Sequence, residues 1–275
     1  MSINISGLDI EKIMLNNENI TGVYLGDTLI EDFQTKPFFR RDSNGFITAP
    51  GYQLVENSDF DSQYRDKWYH YRTTPNDYRN FGYNPSQLAI QDSNLIINIK
   101  NNKNNTWTSG MVSSIFNVRA NSVIEARVKV PTKDYYYSAI SIEPLNCDNY
   151  PLGYSATFLL DHTVNFNTIY IGTQYYGGSI NAPNEIGEES YWQNKELDDT
   201  DYHTVGIIWT DDEIVYYVDD RILGKLPTQL GLVDGINAFG GDFEMYIFVM
   251  PTENSSTEDS DDKLYVDWVR VYNIV

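Results

Sequence analysis

A two-residue rhythm constrains this chain most. In VIEARVKV, residues 123–130, Ile124, Ala126, Val128 and Val130 alternate with Glu125, Arg127 and Lys129. A strand turns successive side chains to opposite faces, so the pattern demands one apolar face on a core and one polar face outside it. The same rhythm picks out Leu95, Ile97 and Ile99 in NLIINIK, and Ile214, Tyr216 and Val218 in EIVYYVDDRILGKL. There Asp219-Asp220 supplies the tight turn of a hairpin. In LYVDWVRVY it predicts Leu264, Val266 and Trp268 on one side, with Val269 and Val271 on the other. Trp209 and Trp268 are expected in the core. No internal repeat or long amphipathic helix interrupts the series, and the strands recur at the spacing of a sandwich.

Composition narrows the function. The 275 residues carry 19 Lys and Arg against 39 Asp and Glu, a formal charge of −20, which argues against nucleic acid or an anionic membrane as partner. No apolar run approaches the roughly 20 residues that span a bilayer, and MSINISGLDI lacks the basic and apolar regions of a secretion signal. One cysteine, Cys147, excludes an internal disulfide and a thiolate metal site, which fits folding in a cytoplasm. Twenty-two tyrosines, 12 phenylalanines and 5 tryptophans suit strands and aromatic binding surfaces.

Three units are expected. Residues 1–35 read as a small module of short strands with polar turns at Asn16-Asn17 and Gly26-Asp27. Residues 36–52, KPFFRRDSNGFITAPGY, read as a linker, and residues 53–275 as the main domain. Within the latter, TENSSTEDSDD at 252–262 is an acidic loop.

The order of motifs in the main domain resembles the laminarinase and lichenase group of glycoside hydrolase family 16. FDSQYRDKW (60–68), TSGMVSS (108–114) followed by VIEARVKVP (123–131), YHTVGIIWTDDEIVYYVDDRILG (202–224) and YVDWVRVY (265–272) carry the likeness. The resemblance implies a concanavalin A-like jelly-roll sandwich, which with the small N-terminal β module makes the expected fold all-β. It implies a cleft whose catalytic strand bears Glu, then Asp two residues on, then Glu three further on. The equivalent segment here is GYSATFLLDHTVNF, residues 153–166. The trio falls on Ser155, Thr157 and Leu160, or on Tyr154, Ala156 and Leu159, and neither register holds a carboxylate. Asp161 is the one acid there, and it reads as a strand-end or turn residue. One acid cannot both protonate a leaving oxygen and attack the anomeric carbon, so the expectation is a protein without this hydrolytic activity.

Sugars stack their C–H faces on flat rings, and the resemblance lines the cleft with Trp107, Tyr135, Tyr136, Tyr137, Tyr154, Gln174, Tyr176 and Trp192 as candidate carbohydrate-binding residues. Glu143, Asp161, Glu185 and Glu244 are the acids available should catalysis have relocated. His203 reads as a structural hydrogen-bonder, and His70 and His162 lack metal-ligand spacing. No cofactor is expected beyond a structural calcium, for which Glu56 and Asp267 loosely match the family's ligands.

The opening ISGLDIEKIMLNNENITGVYLGDTLIED resembles short β-modules at the start of bacteriophage virion proteins. It implies anchoring to a particle, with the jelly roll as a non-catalytic adhesion domain for a bacterial surface glycan. Other virion proteins and further copies in a homo-oligomer are the expected partners, and the virion, assembled in the host cytoplasm, the expected location. A purely structural virion subunit and a hydrolase with relocated acids are the alternatives.

Overall fold

The computed structural model describes residues 40–61, 63–72, 81–102, 106–132, 136–145, 201–228, 241–252 and 261–275. Backbone pairing alone is described for residues 14–15, 18–19, 22–25, 28–32, 153–163, 168–177, 190–194, 232–233 and 236–237. Two small antiparallel ribbons come first: β1 (Met14–Leu15) with β2 (Glu18–Asn19), and β3 (Gly22–Leu25) with β4 (Thr28–Asp32). Then follow β5 (Tyr52–Ser58), β6 (Trp68–His70), β7 (Phe81–Tyr83), β8 (Leu88–Gln91), β9 (Asn94–Asn101), β10 (Trp107–Ser109) and β11 (Met111–Ser114). The middle of the chain gives β12 (Ser122–Lys129), β13 (Tyr136–Pro144), β14 (Gly153–Thr163), β15 (Thr168–Gly177) and β16 (Ser190–Asn194). The hairpin strands β17 (His203–Trp209), β18 (Glu213–Val218) and β19 (Arg221–Pro227) precede the short pair β20 (Leu232–Val233) and β21 (Ile236–Asn237). Long strands β22 (Phe243–Pro251) and β23 (Asp262–Ile274) end the chain.

Two sheets take up these strands. One runs β19-β18-β17-β12-β23-β9-β10-β7, with β5 beside β23 and β8 beside β9, ten strands in all among the described residues. The other runs β16-β15-β14-β13-β22-β11-β6, seven strands. Every described pairing is antiparallel except β7 with β10. Ile124, Ala126, Val128, Val205, Ile207, Leu264 and Val266 of the larger sheet form one core with Ile140, Ile142, Phe243, Met245 and Ile247 of the smaller. The fold is a jelly-roll sandwich, as the alternation demanded.

The turns follow the local chemistry. Asp219 and Asp220 both adopt positive φ, 48° and 63°, between the paired Val218 and Arg221, and Asp92-Ser93 does the same between β8 and β9. Two consecutive left-handed residues match the right-handed twist of a hairpin, and aspartate tolerates that region through its short polar side chain.

One face assignment differs from the alternation. Val269 and Val271 join the core beside Leu264 and Val266, whereas Trp268 lies on the outer face of the ten-stranded sheet under the Arg270 guanidinium, 4.0 Å from its ring. The register against β12 steps from Arg127–Trp268 to Val128–Val266, leaving Asp267 as an extra residue. Such a bulge inverts the facing of everything after it. Trp209 is fully buried as expected, edge-on to Phe243 at 4.9 Å.

Residues 40–51 pack on that outer face. Ile47 is buried with Val123, Tyr217 and Tyr272, with Ala49 and Tyr52 against them, and its N–H donates to the Tyr272 hydroxyl at 3.2 Å. Arg41 donates to the Glu125 carboxylate, and to Asp220 at 2.9 Å. Among the described residues no helix is long and apolar enough to cross a membrane.

Candidate active site

The site is built on the outer face of the seven-stranded sheet. On β22, Phe243, Met245, Ile247 and Val249 are buried in the core, which turns Glu244, Tyr246, Phe248 and Met250 outward. On β13, Ile140 and Ile142 take the core side, leaving Tyr137, Ala139, Ser141 and Glu143 on the outer one. Antiparallel register then lays these residues in rows. Glu143 pairs with Glu244, Ser141 with Tyr246, Ala139 with Phe248 and Tyr137 with Met250. The rows continue onto β11 and β6 through Tyr246–Ser113–Tyr69 and Phe248–Met111.

Aromatic rings cover much of this face. Tyr69 stands edge-on to Tyr71 at 5.5 Å, Tyr71 lies 5.9 Å from Tyr246, and Phe248 is flanked by Tyr83 at 6.2 Å and Tyr137 at 6.0 Å. Tyr69 is 60% exposed, so its ring is available to a ligand.

Two glutamates stand opposite each other on this face. Paired cross-strand residues have Cβ atoms about 4.5–5.5 Å apart, close enough for two carboxyl groups to feel each other. Burial pushes the Glu143 carboxyl above the ordinary carboxylate range; the Ser141 hydroxyl, donating at 2.9 Å, opposes this and the Glu244 charge adds to it. Glu244 accepts the Tyr246 hydroxyl. Burial, with the bonds to Glu244 and Tyr71, raises Tyr246 above the usual tyrosine value, and burial with the Glu143 charge does the same to Tyr83. Both phenols are therefore neutral at ordinary pH. A carboxyl raised above its ordinary range beside one that accepts a hydrogen bond is an arrangement able to split acid and base roles.

The structure also supplies the register that spacing alone left open. Residues two apart on a strand share a face, but a third residue three further on shares it only across a bulge. On β14 the register shift against β15 falls between Phe158 and Asp161, and that against β13 between Ile140 and Ser141, the partners of Leu160 and Phe158. The two-then-three spacing therefore fits Ala156, Phe158 and Asp161, a setting that neither expected register considered. Asp161 pairs with Ala139 and Tyr170 inside the strand rather than at a turn. The first position is Ala156, and the register that pairs Ile142 with Thr157 brings Glu143 of the adjacent strand level with it.

The expected binding residues divide. Tyr137 lies on the aromatic face against Phe248. Tyr136 and Trp107 do not: both are core residues, because β13 turns Tyr136 inward and β10 belongs to the other sheet. Tyr154 pairs with Tyr176, Ala156 with Gln174 and Ile171 with Trp192 as backbone; Tyr135 and Glu185 lie outside the described residues. The sequence reading missed Tyr69, Tyr71, Tyr83, Tyr246 and Phe248, although the Tyr246–Phe248 alternation in FEMYIFVMP was a usable signal.

Calcium does not fit its expected ligands. Glu56 accepts from Lys67 at 2.6 Å, and Asp267 from Arg127. Glu56 is level with Val271, four residues along β23 from Asp267, so each acid faces its own cation. Among the described residues no three His, Cys, Asp or Glu side chains are grouped to hold a metal. His203 bonds Asp219 through Nδ1 at 2.6 Å, the structural role expected of it.

Residues 161–270 match the family model of glycosyl hydrolases family 16. The matched span contains Glu244 and the whole β17–β19 hairpin. Among solved structures, a laminarinase from Flavobacterium sp. UMI-01 superposes with TM-score 0.68 at 15% identity, covering 80% of this chain and 100% of that one. An endo-beta-1,3-glucanase from Pyrococcus furiosus gives 0.66 at 20% identity, covering 82% and 95%. A kappa-carrageenase from Pseudoalteromonas carrageenovora, in complex with an oligotetrasaccharide of kappa-carrageenan, gives 0.66 at 17%, covering 83% and 98%. No curated protein matches the chain. At these identities the likeness establishes the fold.

Proposed function

We propose that this chain binds a polysaccharide across the aromatic face of its seven-stranded sheet and cleaves it with a carboxyl pair moved off the expected strand, Glu143 and Glu244. One observation carries the reading: the two acids stand directly opposite each other on adjacent strands, on the face that also bears Tyr69, Tyr71, Tyr246 and Phe248. The family match and the glucanase folds among its structural neighbours support it. In this mechanism Glu143, whose carboxyl burial lifts above the ordinary range, delivers its proton to the leaving glycosidic oxygen. Glu244 attacks the anomeric carbon as that bond breaks, and a water molecule deprotonated by Glu143 then hydrolyses the glycosyl ester and restores both carboxyl groups. A pair about 5–5.5 Å apart would retain configuration.

The test is release of reducing ends from laminarin, lichenan and a bacterial capsular polysaccharide. Glu143→Gln and Glu244→Gln should each lower the rate by roughly a hundredfold or more while leaving polysaccharide binding in place. Loss with Asp161→Asn alone would move the acid to β14.

A second reading rests on its own observation. Ala156 and Phe158 stand at two of the three bulge-defined positions, which favours a protein that holds a glycan without cutting it, such as an adhesion domain displayed on a virus particle. Binding without product would select it, and the absence of both would reject both.

A further inference from the structure

We propose that Tyr246, backed by Tyr71, is a positioning residue that assigns the shared proton of the glutamate pair to Glu143; the inference rests on reading that pair as the reactive centre. One row along the sheet from Glu143 and Glu244 lie Ser141 and Tyr246, cross-strand partners of each other. Each carboxyl thus has one hydroxyl beneath it, and the two hydroxyls are not equivalent.

Tyr246 has a single proton, and it goes to Glu244 Oε1. Its oxygen is in a hydrogen bond with Tyr71, whose ring lies 5.9 Å away. Tyr71, Tyr246 and Glu244 therefore form one connected group. Glu244 faces a fixed donor, which favours the ionised carboxylate over the neutral acid, a weaker acceptor.

Ser141 is different. It is fully buried and bonds Glu143 Oε1 at 2.9 Å, and a serine hydroxyl rotates to donate or to accept. It accommodates Glu143 in either protonation state. Two like charges at cross-strand distance resist joint ionisation, so one proton stays on the pair, and the asymmetry of the two hydroxyls sends it to Glu143. Among the described residues, Tyr83 of β7 is a further titratable group that feels the Glu143 charge.

The experiment is carboxyl-carbon NMR of the full chain labelled at glutamate, with the two signals assigned from Glu143→Gln and Glu244→Gln. In the unaltered protein Glu244 and Glu143 should titrate in separate steps, with Glu143 protonated and Glu244 ionised between them. Tyr246→Phe keeps the ring and removes the committed donor; both carbons should then move in both steps. Tyr71→Phe should give a smaller change of the same sense, and Ser141→Ala should leave the steps separate. Separate steps persisting unchanged in Tyr246→Phe would overturn the proposal. On any polysaccharide the protein hydrolyses, Tyr246→Phe should also lower kcat roughly tenfold with little change in KM and narrow the pH profile. A protein that hydrolyses nothing would defeat the reading of the pair as reactive, while the carbon titration would still decide where the proton sits.

Discussion

The Tyr217 hydroxyl donates to the Glu125 carboxylate at 2.7 Å, and both residues are fully buried on the outer face of the ten-stranded sheet. Arg41 reaches over from the segment before β5 and completes the site with its own bonds to the same carboxylate and to the backbone carbonyl of Gly45. A buried carboxylate without a cation is costly, and burial with the Glu125 charge pushes the Tyr217 phenol well above its usual value. Arg41→Ala should therefore destabilise the fold by about 3–5 kcal/mol, the range for breaking a buried pair from one side. Chemical denaturation checks this, and Arg41→Met combined with Glu125→Leu should recover much of the loss.

Gly206 lies under the same group. A Cβ built on it would sit 2.5 Å from the Cζ and hydroxyl oxygen of Tyr217, closer than packed atoms approach. The Tyr217 ring is buried and tied to Glu125, so it cannot swing away freely. Gly206→Ala should cost about 1–3 kcal/mol by overpacking and weaken the Tyr217–Glu125 contact. A midpoint unchanged in denaturant would show that the ring moves more easily than its bonding implies.

How much of this was legible in the sequence depends on the period. Ile124, Ala126 and Val128, or Leu95, Ile97 and Ile99, declare their faces because nothing interrupts the alternation. The facing of Trp268 was misassigned because a bulge adds a residue without leaving a mark in composition, and β14 carries a register shift of the same kind. The acid pair was hidden differently. Glu143 and Glu244 are 101 positions apart, and only the pairing of β13 with β22 makes them neighbours. Sequence could name each as an available acid, but not the partner.

Tyr69 offers the cleanest test of ligand contact. It is 60% exposed on the aromatic face, and the hydroxyl chain to Glu244 runs through Tyr71 and Tyr246 without it. Ring stacking contributes about 0.5–1.5 kcal/mol beyond area, so Tyr69→Ala should weaken polysaccharide binding by roughly 2–10-fold. Titration calorimetry or affinity electrophoresis would measure it. Thermal stability should stay within a few tenths of a kcal/mol, as for an exposed site away from the core.

Glu143 makes the stability of the fold depend on pH, and the sign follows from its environment. Burial is the main cause that lifts its carboxyl above the ordinary glutamate value of 4.5, and the Glu244 charge adds to it. The folded chain therefore binds more protons than the unfolded chain between that value and the raised one. Stability falls with rising pH wherever the folded state holds the excess proton. The contribution of Glu143 is thus favourable in acid and is lost as pH climbs from 4.5 through the raised value, the reverse of a salt-bridged carboxylate. Glutamine keeps the shape and carries no charge at any pH. Glu143→Gln should raise the unfolding temperature at neutral pH, where the native residue must ionise in a buried place, and should flatten the dependence across the mildly acidic range. Thermal unfolding of the two proteins across that range would show two curves that converge toward low pH; parallel curves would mean that Glu143 ionises as freely as an exposed glutamate.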